Sequence, residues 1–119
     1  MNALLFVYLS LATCVKADIV GVWLTANEEV KIEIYHENSD FFGKVIWISK
    51  ESDTNIRIGD IVLNNLKRNT EENNYIDGVF VYGDKKVNCS FDKLSERELQ
   101  VKMKKGIWSN SVIWTKVEN

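Results

Sequence analysis

Val30-Lys31-Ile32-Glu33-Ile34-Tyr35 alternates apolar with polar or amphipathic side chains at a period of two, the pattern of a strand with one buried face. The same period returns in Val87, Cys89 and Phe91 set against Asn88, Ser90 and Asp92, and in Leu99, Val101 and Met103 set against Gln100, Lys102 and Lys104. Working outward, three further segments are rich in β-branched and aromatic residues: Ile19 to Thr25, Phe41 to Ser49 and Tyr75 to Tyr82. A final strand runs from Ser111 to Val117. Reversal chemistry separates these segments at Ala26-Asn27, Asn38-Ser39-Asp40, Gly83-Asp84 and Lys105-Gly106, with Gly83-Asp84 the best two-residue hairpin turn. Between Ile56 and Leu66 the reading divides. Ile58, Val62 and Leu66 would share a helix face, whereas Ile61-Val62-Leu63 suits a short strand. Lys50 to Asn55 and Lys67 to Asn74 are polar and read as loops. Consecutive strands joined by short turns predict an all-β fold, a small antiparallel up-and-down β-barrel of about eight strands, with a two-sheet sandwich as the alternative.

A barrel of about eight strands is just wide enough to be filled by side chains or to hold one small ligand. The inward candidates are Val30, Ile32, Ile34, Val87, Phe91, Leu99, Val101 and Met103, an apolar set without a charge. Either they fill the core or they line a pocket for an apolar molecule. The aromatic residues allow the same two readings, because large rings both stabilise a small barrel and grip apolar ligands. Trp47, Tyr82 and Trp108 are candidates to line or lid an opening, with Phe91 and Met103 on the lining below. Trp108 follows Gly106-Ile107 at a turn, where a core has no need of it.

The chain has 119 residues, and Met1 to Ala12 is almost wholly apolar. Val15 and Ala17 supply the small residues of a signal-peptidase site, so residues 1–17 read as an export signal and 18–119 as a single domain. Cys14 offers a second reading, since Leu11-Ala12-Thr13-Cys14 loosely resembles a bacterial lipoprotein processing site that would carry a lipid anchor. The expected location is periplasmic or secreted. Removing the signal leaves 14 basic against 17 acidic side chains, a net charge of −3, which gives nucleic-acid phosphates no handhold. Cys89 is then the one remaining cysteine, so no intrachain disulfide supports the core. Asn88-Cys89-Ser90 is formally a glycosylation sequon.

The residue inventory argues against catalysis. His36 is the only histidine, and it ends the second strand beside Glu37 and Asn38, facing solvent. A Cys89–His36 nucleophilic pair would lack an oxyanion-type Gly-rich turn, and one histidine with one mature cysteine cannot build the usual zinc sites. Asn38, Asp40, Asp53 and Asn55 carry calcium-ligand oxygens but match no calcium-loop spacing. Neighbours on a strand face opposite ways, so Glu28 and Glu29 make no acid–base dyad, and Glu71-Glu72 solvates a polar loop. Lys85-Lys86 and Lys104-Lys105 flank hairpin turns, where they either keep the edge soluble or meet an anionic head group at the barrel mouth. No metal, cofactor or catalytic set is therefore expected.

Gly21-Val22-Trp23 on the first strand is similar to the G-x-W motif that opens lipocalins and their calycin relatives. That resemblance implies that Trp23 plugs one end of the barrel and that a basic residue of the last strand, here Lys116, stacks on it. A longer ordered set resembles the exported bacterial family catalogued as domain-of-unknown-function family 2147, whose members adopt a lipocalin-like barrel. It comprises Asp18 to Trp23, Val30 to Tyr35, Phe42-Gly43-Lys44-Val45-Ile46-Trp47, Val81 to Cys89 and Trp114 to Glu118. The chain departs from that family's pattern in the loop after the third strand and at the Gly83 hairpin, both of which lack the usual prolines. The resemblance implies a barrel and export, and it implies no reaction. The expected function is non-catalytic binding of a small apolar ligand, a fatty acid or similar. The alternative is a filled barrel serving as an envelope or host-facing interaction module.

Overall fold

A computed structural model describes residues 18–50, 52 and 55–118, so the segment expected to be an export signal, Cys14 within it, and Asp53 lie outside the described residues. Eight strands follow one another: β1 Gly21–Leu24, β2 Val30–Glu37, β3 Asp40–Ile48, β4 Ile61–Asn69, β5 Asn74–Tyr82, β6 Lys85–Ser95, β7 Glu98–Lys105 and β8 Trp108–Lys116. Each pairs antiparallel with its sequence neighbour, and β1 pairs with β8 through Trp23↔Lys116 and Leu24↔Thr115, which closes the barrel. Closure leaves no free sheet edge, the liability that an open meander of this length would carry.

The divided segment resolves as strand. Ile56 to Asp60 is loop, and from Ile61 the chain pairs with β3 on one side and β5 on the other. A helix here would have left the facing edges of β3 and β5 without backbone partners. The strand also runs further than its polarity suggests. Lys67-Arg68-Asn69, expected in a loop, belong to β4, and the turn is confined to residues 70–73. Their charges are tolerated because Arg68 lies over the Tyr75 ring (5.1 Å) and donates to the carbonyls of Asn69 and Asn74, while Lys67 pairs with Asp40 (3.2 Å).

Four connections lie at one end of the barrel and three at the other. At one end, Gly83-Asp84 and Gly106-Ile107 are two-residue hairpin turns with the glycine at positive φ (63° and 60°), which suits a II′-type turn led by glycine. The β1–β2 and β3–β4 loops share that end. Asn38-Ser39, with φ of 53° and 77°, turns the chain at the other end.

The wall bends sharply across β4 and β5. β4 carries two extra residues relative to β3 and β5 one relative to β6, and Asn65 (φ 56°) and Asp77 (φ 62°) each take up one of them in the left-handed region that Asn and Asp tolerate. Gly78 is required at this corner, because a Cβ there would sit 2.8 Å from Leu66 Cδ1 and 3.0 Å from Cys89 Sγ. The core is wholly apolar among the described residues. It includes seven of the eight inward candidates, with Met103 partly buried against them.

Candidate functional site

The inward rows change character along the barrel axis. Toward the closed end, Trp23, Phe91, Leu99, Tyr75 and Trp114 are all but inaccessible. Phe91 meets Trp114 edge-on at 5.4 Å, and Phe41 meets Tyr75 at 5.2 Å, so rings fill the space in their preferred geometry. Trp23 Nε1 donates to the Ile19 carbonyl (2.9 Å), which draws the segment before β1 across the bottom. Lys116 Nζ lies 5.1 Å from the centre of the Trp23 ring. To reach it, the lysine passes over Gly21, where a Cβ would be 2.8 Å from Lys116 Cε and where φ is 144°.

Toward the other end the same rows line an open cavity of about 410 Å³. Trp114 and Phe80 form its floor, with Val30, Ile32, Met103 and Val112 around the wall. Tyr82 and Trp108, at the ends of β5 and β8, stand at its rim, and Trp108 is half exposed. Side-chain parity explains their position. Trp108, Val112 and Trp114 lie on one face of β8, as Phe80 and Tyr82 do on β5. Tyr82 and Trp108 also border a second recess of about 260 Å³ with Val87, Lys85 and Lys105. Parity puts these two lysines on the inward rows of β6 and β7, and Lys86 and Lys104 on the outward rows. The mouth thus joins an apolar hollow to a small cationic annex.

The opposite rim is polar and well ordered. Asn27 Oδ1 accepts from the Thr25 hydroxyl (2.8 Å) and the Glu29 amide (3.1 Å), and Ser49 N donates to the Glu29 carbonyl (2.8 Å). The β1–β2 and β3–β4 loops are thereby tied together. A larger groove of about 920 Å³ crosses the outside of β5–β8, but Asn88, Ser90, Lys102 and Ser109 make it hydrophilic.

Of the residues singled out in the sequence, Tyr82, Met103 and Trp108 come together at this mouth. Phe91 does not. It is fully buried in the closed half, as a packing residue. Trp47 does not either. It pairs with Lys31 on the outer face, with the ammonium 4.8 Å from its ring centre. A bulge accounts for this, because Ile46 is inserted between the pairs Lys31↔Trp47 and Ile32↔Val45 and reverses the parity that a regular strand would give Trp47. Phe80, Val112 and Trp114, missed as lining residues, were legible only once the hollow end of the barrel was known.

The reactive side chains are spent on structure. Burial pushes the Cys89 thiol up from 9.0 to about 12, which leaves no thiolate at neutral pH. His36 is exposed and stacks on Phe41 at 4.6 Å. Asp40 accepts from Asn65 Nδ2 (3.0 Å) and Lys67 Nζ (3.2 Å), and these bonds hold its carboxyl below its ordinary value. Among the described residues no three His, Cys, Asp or Glu side chains converge as metal ligands.

No family model and no curated protein matches the chain. Among solved structures it is similar to the protein HP1028 of the human pathogen Helicobacter pylori, which belongs to the lipocalin family. The two superpose with a TM-score of 0.68 over 86% of this chain and 84% of that one, at 14% sequence identity. The chain therefore has a lipocalin-like fold, an eight-stranded antiparallel barrel closed and filled at one end and hollow at the other.

Proposed function

We infer that the protein is a non-catalytic binder of a small apolar ligand, held in the barrel mouth with any anionic head group against Lys85 and Lys105. One observation carries this reading: an apolar cavity of about 410 Å³, within the size range of small-molecule sites, opens beside a recess bearing two cations. A hydrocarbon tail gains by leaving water, at about 25 cal/mol per Å² buried, and a carboxylate gains charge-assisted hydrogen bonds. A fatty acid is the simplest molecule with both ends. Export belongs to the same proposal, since the apolar start of the chain and its Val15/Ala17 cleavage pattern would deliver such a carrier to the periplasm or the medium.

The test begins with mass spectrometry of organic extracts from protein purified from its own host. It continues with fluorescence titration by 11-(dansylamino)undecanoic acid. A stoichiometric apolar compound and saturable probe binding are expected, with Val112→Trp filling the cavity and weakening the probe at least about tenfold. A clean extract together with unsaturable probe binding overturns the reading.

A further inference from the structure

Ile107 occupies the second position of the β7–β8 turn and is as exposed as in an extended chain (105%). Turns of this type favour Gly, Asn or Asp, and a β-branched apolar residue there gains nothing from the fold. Trp108 follows it, half exposed. Around this tip stand four exposed lysines, Lys85 and Lys86 opening β6 and Lys104 and Lys105 closing β7. The two strands are neighbours, with Asn88 paired to Lys104, so continuing the register brings Lys86 beside the Gly106-Ile107 turn.

Elsewhere on the barrel four cations have acidic partners, Lys67 with Asp40, Lys93 with Glu96, Arg97 with Glu118 and Lys102 with Asp92, and Lys31, Arg68 and Lys116 lie over aromatic rings. None of the four lysines at the tip has an ion-pair partner among the described residues. Asp84, in the adjacent turn, is the one acid between them, and Glu28 and Glu29 lie across the mouth on the β1–β2 loop. The chain from residue 18 onward carries a net charge of −3, so the concentration of cations around one apolar tip runs against the average of the surface.

We propose that the β5–β6 and β7–β8 hairpin tips dock on an anionic lipid surface. Ile107 and Trp108 enter the interface, Lys86 and Lys104 contact lipid phosphates, and the barrel mouth faces the bilayer. An apolar tip ringed by lysines is the chemistry such a surface recognises, because the side chain leaves water while the ammonium groups stay at the head groups. The like charges of the lysines repel one another in water, and an anionic surface relieves that repulsion. Lys85 and Lys105, on the inward rows, remain available to the cavity. The docking reading does not depend on a ligand being bound.

Vesicle flotation tests it. Residues 1–12 are apolar and would bind lipid themselves, so the chain beginning at Asp18 is used; every strand of the closed barrel lies within 21–116. Vesicles of phosphatidylcholine with phosphatidylglycerol should retain the protein at about 0.1 M salt and release it at higher salt, and pure phosphatidylcholine should retain far less. Ile107→Asn should lower partitioning about tenfold, and Lys86→Gln with Lys104→Gln roughly twentyfold. Leu94→Asn, at an exposed leucine of the opposite end, should change nothing. Binding of the dansyl probe should survive in all three variants, since none of these residues lines the cavity. Failure to float with anionic vesicles overturns the proposal and leaves the tip as a protein-contact surface. Equal losses from Ile107→Asn and Leu94→Asn overturn it as well.

Discussion

The two ends of this barrel are built from the same alternating strands and do opposite things with them. At the closed end the inward positions hold Trp23, Tyr75, Phe91 and Trp114, all buried, with Phe91 edge-on to Trp114 and Tyr75 edge-on to Phe41. At the open end the inward positions are mostly smaller or flexible, Val30, Val112 and Met103, and the large rings Tyr82 and Trp108 move to the rim. The difference teaches that a barrel of this size need not be either filled or hollow. Ring placement along the axis decides which half supplies stability and which half stays free to bind.

That division can be broken most directly at Trp23. Trp23→Ala should cost about 3–5 kcal/mol in chemical denaturation, whereas Val112→Ala at the mouth should cost about 1 kcal/mol. Equal costs would mean that the mouth is as stability-bearing as the plug.

The next effect is a pH dependence from the wall between them. The folded state holds the Cys89 thiol protonated up to about 12, while the unfolded thiol ionises at 9.0. Its contribution is therefore fully present below 9.0 and is lost as pH rises toward 12. Denaturation midpoints should fall across that window, and Cys89→Ala should flatten the fall. A smaller change is expected from the cation over the plug: Lys116→Met should lose about 0.5–1 kcal/mol, and Lys116→Arg should retain or improve stability. Smallest of all, Trp47→Ala on the outer face should stay within about 0.5 kcal/mol and leave dansyl-probe binding unchanged. A binding defect there would redraw the mouth.

How much of this was legible beforehand differs between fold and site, for physical reasons. Strand periodicity and turn residues carry the architecture because each is local: Gly83-Asp84 is the β5–β6 reversal, and the expected Lys105-Gly106 turn lies one residue before the actual Gly106-Ile107 reversal. β4 was harder to read because Asn65, in a left-handed conformation, breaks the alternation that would announce a strand. The site depends on parity, and parity fails at bulges. One inserted residue, Ile46, carried Trp47 to the outside. Phe91 was assigned inward correctly, but nothing in a strand's own sequence says how far along the barrel axis it lies. Tyr82 and Trp108 can be placed at the barrel's end from the sequence because they stand beside turns, whose position at an end is legible. The lysine doublets were visible too, yet only the register divides them into an inward pair and an outward pair.

The narrow seam between β1 and β8 has a consequence for how the chain reaches its native state. Every other pairing joins strands adjacent in sequence, and so can form as a local hairpin. Trp23 and Lys116 must find each other across almost the entire domain, with only Leu24↔Thr115 and the hydrogen bond from Val117 N to Val22 O to help. Loop-closure entropy puts that encounter last. The residue pair that caps the finished barrel is thus also the latch that completes folding, and a newly made chain exposes its two edge strands until that latch engages.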